Sequence, residues 1–80
     1  MSVARVERVF QKVFDDKELS IFKEMMAKDV NGWDSFNHLN LILALEIEFD
    51  ISFSTEEISG IANVGDLIII LQQKGFDLSW

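Results

Sequence analysis

Hydrophobic positions near the start of the chain recur in steps of three and four: Val3, Val6, Val9, Phe10, Val13 and Phe14, with Arg5, Glu7, Arg8 and Lys12 between them. That period predicts an amphipathic helix with those charges facing out, capped by Ser2 and ended by Asp15 and Asp16. The stretch from there to Trp33 is long for a loop in so short a chain. A helical turn around Ile21 to Met26, held through Phe22, Met25 and Met26, would organise it. Val30-Asn31-Gly32 reads as its exit turn, and Trp33 as the side chain that pins the loop to the core.

Asp34 and Ser35 stand where a helix cap belongs, ahead of a run from Phe36 to Asp50 without Gly or Pro. At about 100° per residue, His38, Leu41, Ile42, Leu45 and Phe49 share one face of that helix, wide enough to be its contribution to a core. A second apolar set, Phe36, Leu39, Leu43 and Ile47, lies on a separate face with Glu46 and Asp50 beside it. A small helical protein cannot easily bury both. Either the long loop covers the second face, or the face binds a partner with an acidic rim around it. Farther on, Ser54 and Glu57 have capping-box spacing and Gly60 follows at once, which predicts a helix of one or two turns. Asn63 caps a last helix over Val64 to Lys74, with Gly75 just past its end. Ile68-Ile69-Ile70 alone would suit a strand, but no partner strand exists. The expected fold is all-α: a small four-helix bundle of three main helices and a short one, forming a single domain over residues 1–80.

Composition narrows the chemistry. The 80 residues include seven Phe and two Trp, enough apolar material for one core. Cysteine is absent, so a disulfide framework, a zinc thiolate or a cysteine nucleophile is excluded, and any thiol must be borrowed. The net charge of −7 has the wrong sign for nucleic acid. Residues 1–28 carry six Lys/Arg against five Asp/Glu, a net of +1, and residues 29–80 carry one against nine, a net of −8. Apolar runs such as Leu41–Leu45 fall far short of the roughly 20 residues that span a bilayer. A soluble, cytoplasmic monomer is expected.

Ser35 has further physics. First-turn amides and the helix dipole stabilise negative charge, so a phosphoester on Ser35 would be well placed, although plain capping is the commoner fate of an Asp-Ser pair.

Gly32-Trp33-Asp34-Ser35-Phe36, Leu41-Ile42-Leu43-Ala44-Leu45-Glu46, Glu48-Phe49-Asp50-Ile51 and Asn63-Val64-Gly65-Asp66-Leu67 together resemble the acyl carrier protein family over most of the chain. The family's Asp-Ser-Leu tripeptide, opening the second helix of a four-helix bundle, here reads Asp34-Ser35-Phe36. The resemblance implies that Ser35 carries 4'-phosphopantetheine, installed from coenzyme A by a magnesium-dependent phosphopantetheinyl transferase. Ser35 would be the nucleophile within that complex, and Asp34 would help position the metal there. The arm's thiol would hold an acyl or aminoacyl group as a thioester, loaded by a ligase and delivered to acyltransferase or synthase enzymes. It further implies partner contacts at Phe36, Leu39, Leu43, Glu46 and Ile47, with Glu56 and Glu57 on the short helix, facing basic docking patches. The usual carrier of fatty-acid synthesis has a small residue in place of Trp33, Leu in place of Phe36, and acidic residues in place of Asn40 and Ile47. With those departures the chain looks more like stand-alone carriers of specialised biosynthetic pathways, such as polyketide, nonribosomal-peptide, aminoacyl or surface-glycan acyl transfer.

Other readings are weaker. Asp34, Ser35 and His38 lie too close in sequence to form a triad with room for substrate and an oxyanion hole, so no enzyme is expected. His38 reads as a core-facing residue bonded near the helix start. Asp29-Val30-Asn31-Gly32 fails as a calcium loop because its glycine is misplaced and Asn40 stands where a Glu is needed. Glu48 reads as a solvated carboxylate, and the tail Phe76–Trp80 as folded back on the core. The alternative of another class is a helical interaction module without a prosthetic group. It would tolerate Ser35→Ala apart from about 1 kcal/mol of lost capping, whereas a carrier would lose function.

Overall fold

Side chains and left-handed turns at the helix ends account for where the elements begin and stop. The computed structural model describes all residues, Met1–Trp80. It contains helices α1 (Ala4–Val13), α2 (Ser35–Phe49), α3 (Thr55–Ser59) and α4 (Val64–Gln73), with a single 3₁₀ turn at Ala27–Asp29. Asp34, Ser54 and Asn63 cap α2, α3 and α4 by accepting from the backbone amides of Asn37, Glu57 and Asp66. Ser2 Oγ accepts from Ala4 N at 3.2 Å, one residue earlier than a true cap, which is Val3 here. Three helices stop alike: a residue at positive φ (Asp15, Asp50, Gly75) is followed by an amide that reaches back five residues, Asp16 to Gln11, Ile51 to Glu46 and Phe76 to Leu71.

Burial follows the hydrophobic periods. Val6, Val9 and Phe10 of α1 pack with Leu41, Ile42, Leu45 and Phe49 of α2 and with Val64, Leu67, Ile68 and Leu71 of α4. No polar or charged residue is buried with them. The two serines nearest the chain ends meet in an isolated parallel bridge, with Val3 N donating to Ser79 O and Ser79 N to Met1 O. The tail folds back as expected, with Leu78 buried and the Phe76 ring edge-on to Phe49 at 4.8 Å.

The long loop departs from expectation. Its 3₁₀ helix lies at Ala27–Asp29, while the stretch Ile21 to Met26 holds only a single hydrogen-bonded turn over residues 22–25, and of Phe22, Met25 and Met26 only Met25 is buried. The reason is the open N-terminus of α4: Val64 N donates to Met25 O at 2.9 Å and Gly65 N to Lys23 O at 2.8 Å. These bonds clamp a turn over residues 22–25, closed by Met25 N donating to Phe22 O at 3.0 Å, with Met25 inward and Phe22 and Met26 exposed. Gly65 is required, because a Cβ there would come within 2.9 Å of both Lys23 O and Lys23 Cγ. Glu7 and Arg5, expected to face solvent, are also engaged. Glu7 accepts from Ile21 N at 3.0 Å, and Arg5 forms an ion pair with Glu48 at 2.8 Å while its guanidinium lies over the Phe49 ring. Glu48 is therefore a tether between α1 and α2. The Arg5 hydrogen bond holds its carboxyl below the ordinary value of 4.5.

Candidate functional site

The turn before α2 is held by its own polar side chains. Gly32 sits at φ 91°, Asn37 Nδ2 donates to Gly32 O at 2.7 Å, and Asn37 N donates to Asp34 Oδ1 at 2.8 Å. Since Asp34 is the cap, Ser35 is the first helical residue of α2, and the expectation that it serves as a plain cap is corrected. Ser35 is exposed, in the first turn, where free amides and the helix dipole favour a negative group on its oxygen.

Trp33 and His38 flank this turn. The Trp33 ring packs edge-on against Phe10 at 5.4 Å and leans on Phe14 at 5.9 Å, which pins the loop to the core as the sequence predicts. Its Nε1–H donates to His38 Nδ1 at 3.1 Å, with the two ring planes 17° apart. An acceptor at Nδ1 places the proton of neutral His38 on Nε2, which faces Ile58 O at 3.4 Å. Both nitrogens of His38 are thus directed away from Ser35, and no triad forms. An open groove of about 620 Å³ runs beside Ser35, walled by Trp33, His38, Leu39, Ile58 and Ile61.

The second face of α2 is bare. Phe36 is 73% exposed, Leu39 54%, Leu43 57% and Ile47 83%, so the long loop does not cover it. This ridge begins next to Ser35. Its acidic rim is thinner than the sequence implies. Glu46 Oε2 accepts from Phe53 N at 2.8 Å, and Glu57 completes the α3 capping box while pairing with Lys74 at 3.1 Å. Backbone donation from Ser54, then Lys74, lowers the Glu57 pKa from 4.5. Glu56 alone of the three is exposed. The Trp33–His38–Ile58 link is the part of the site that residue patterning did not reveal, since Ile58 stands twenty residues from His38.

No family profile matches the chain. Curated relatives do. The chain is 37% identical over 70 residues to the acyl carrier protein of Buchnera aphidicola subsp. Acyrthosiphon pisum (strain Tuc7), covering 88% of both proteins. It is 35% identical over 75 residues to that of Prochlorococcus marinus (strain MIT 9515), covering 85% of this chain and 94% of the relative. Among solved structures, a holo acyl carrier protein from Geobacter metallireducens superposes with a TM-score of 0.85 at 36% identity, over 90% of this chain and 83% of that one. A putative acyl carrier protein from Mycobacterium tuberculosis gives 0.79 at 27% identity, over 89% and 95%. With the helix order, the exposed serine opening α2 and these relatives in agreement, the chain belongs to the acyl carrier protein family and is a carrier, not an enzyme.

Proposed function

We propose that Ser35 is the attachment point of a 4'-phosphopantetheine arm and that the chain ferries an acyl or aminoacyl group on it between partner enzymes. The observation that carries this reading is the placement of Ser35: first residue of α2, exposed, relieved of capping by Asp34, and beside both an open groove and an apolar ridge. Within a phosphopantetheinyl transferase, Ser35 Oγ attacks the pantetheine-side phosphorus of coenzyme A. The new Ser–O–P bond replaces the bond to the adenosine-bearing phosphate, which leaves as 3',5'-ADP, and the hydroxyl proton passes to the transferase. Asp34, the preceding residue, whose Oδ1 accepts from Asn37 N, would help hold the magnesium ion there. When attached, the arm supplies the thiol that the cysteine-free polypeptide lacks.

Phe36, Leu39, Leu43 and Ile47 form the docking ridge, with Glu56 as its free acid and Glu46 and Glu57 contributing through the carboxylate oxygens not bonded to Phe53, Ser54 or Lys74. Partners are a loading ligase and acyltransferase or synthase enzymes with basic patches, whose opposite charge speeds encounter. The departures at Trp33, Phe36, Asn40 and Ile47, with the thin acidic rim, favour a specialised biosynthetic pathway, which we place in the cytoplasm. No helix is long and apolar enough to cross a membrane. The test is incubation with coenzyme A, magnesium and a broad-specificity transferase. Wild type gains the mass of one phosphopantetheine and Ser35→Ala does not. Failure of wild type with several transferases would favour a helical interaction module without an arm.

A further inference from the structure

Lys74 is the sole Lys or Arg in residues 29–80, and it lies against one of the docking acids. Its Nζ is 3.1 Å from Glu57 Oε1 and 5.5 Å from the centre of the Phe53 ring. Surface ion pairs are ordinarily weak, because two long side chains must be ordered to form them. Here both ends are already held. Glu57 is the acid of the α3 capping box, and the same Oε1 accepts from Ser54 N at 2.9 Å. Lys74 ends α4, where its amide donates to Ile70 O and Leu71 O, each at 3.1 Å. Both residues are half-buried, so solvent screens the pair incompletely.

The three acids beside the ridge therefore differ. Glu46 accepts from a neutral amide, which leaves its charge in place, and Glu56 is exposed and takes part in neither ion pair. Glu57 alone is bound to an ammonium that cancels its charge. Its second oxygen can still accept a hydrogen bond, but the group offers an approaching cation no net attraction.

We propose that Lys74 is an internal competitor for Glu57: it takes the place that a cation of a basic partner would occupy, so the carrier selects against partners that read this α3 acid and favours those that read the apolar ridge with Glu46 and Glu56. Lys74 is thus a specificity-determining residue of the docking face. The inference rests on the reading that this face receives basic partners.

The test immobilises a phosphopantetheinyl transferase with a basic docking patch and reads Kd for each unmodified chain by surface plasmon resonance at low and high salt. Glu56→Gln, which removes the free acid, weakens binding about threefold at low salt. No effect of Glu56→Gln counts against the docking face itself, and the remaining variants decide on Lys74. Lys74→Gln binds about threefold more tightly than wild type at low salt, and the gain vanishes at high salt. Glu57→Gln, whose amide oxygen can still accept from Ser54 N, stays within about 1.5-fold of wild type, and so does the double variant Glu57→Gln/Lys74→Gln. Lys74→Arg keeps the pair and behaves as wild type. Lys17→Gln, which removes the same charge from an exposed residue outside both ion pairs, changes Kd by less than about 1.5-fold. No gain in Lys74→Gln, or a gain that persists in the Glu57→Gln background, overturns the proposal. If Lys74→Gln does not fold, Lys74→Met, which keeps an aliphatic stem against Phe53, takes its place with the same expected gain.

Discussion

The two faces of α2 are built from the same kinds of side chain and have opposite fates. Leu41, Ile42, Leu45 and Phe49 are buried, whereas Phe36, Leu39, Leu43 and Ile47 are exposed. Hydrophobicity does not separate them; what does is that α1 and α4 close over one face, while the long loop is drawn away from the other by its bonds to the start of α4. An apolar face left bare in this way, adjoining Ser35, contributes nothing to the core and is the face proposed above for docking.

The contrast can be broken most forcefully in the core. Leu45→Ala should cost about 2–5 kcal/mol in urea unfolding, whereas Leu43→Ala should stay within about 0.5 kcal/mol and instead slow transfer by a partner enzyme. Equal destabilisation by both would mean that the outer face is covered. Next in size is the junction that holds the loop away. Gly65→Ala should lose about 1–3 kcal/mol, because its methyl group meets the Lys23 carbonyl, and the loss should appear in the same unfolding assay.

At the start of α2, the two adjacent residues should separate structure from function. Asp34→Ala loses about 1 kcal/mol of capping, while Ser35→Ala changes stability by no more than about 0.5 kcal/mol and yet abolishes conversion. Thermal melts of the two variants check this, and a large loss from Ser35→Ala would return the capping role to the serine.

The smallest expected effect is that of pH. Glu48 and Glu57 both ionise below 4.5 in the folded chain, so in acid the unfolded state binds more protons. Their contribution is present above the unfolded value and fades as pH falls through the lowered folded values. Urea midpoints between pH 6 and about pH 3 should decline, and Arg5→Gln and Lys74→Gln should flatten the decline if these pairs are its source.

Most of this was legible in the sequence, for local reasons. The caps at Asp34, Ser54 and Asn63, the glycine after α4 and both stripes of α2 follow from side chains acting within one or two turns of themselves. The loop between α1 and α2 was less legible because its shape depends on amides forty residues away, at Val64 and Gly65. For the same reason Glu46 and Glu48 looked like free surface charge, although Phe53 and Arg5 engage them, and the capping-box spacing of Glu57 gave no sign of its pairing with Lys74. In the site, Asp34, Ser35 and the ridge were visible from the pattern, whereas the Trp33–His38–Ile58 link needed the fold to bring α3 beside α2.

The central claim is that Ser35 acquires a thiol for a polypeptide that has none. Titration with an aromatic disulfide reagent after incubation with coenzyme A and transferase, followed by removal of small thiols, tests it directly. The account predicts about one reactive thiol per wild-type chain and none in Ser35→Ala. A thiol that appears equally in both, or in neither, would contradict it.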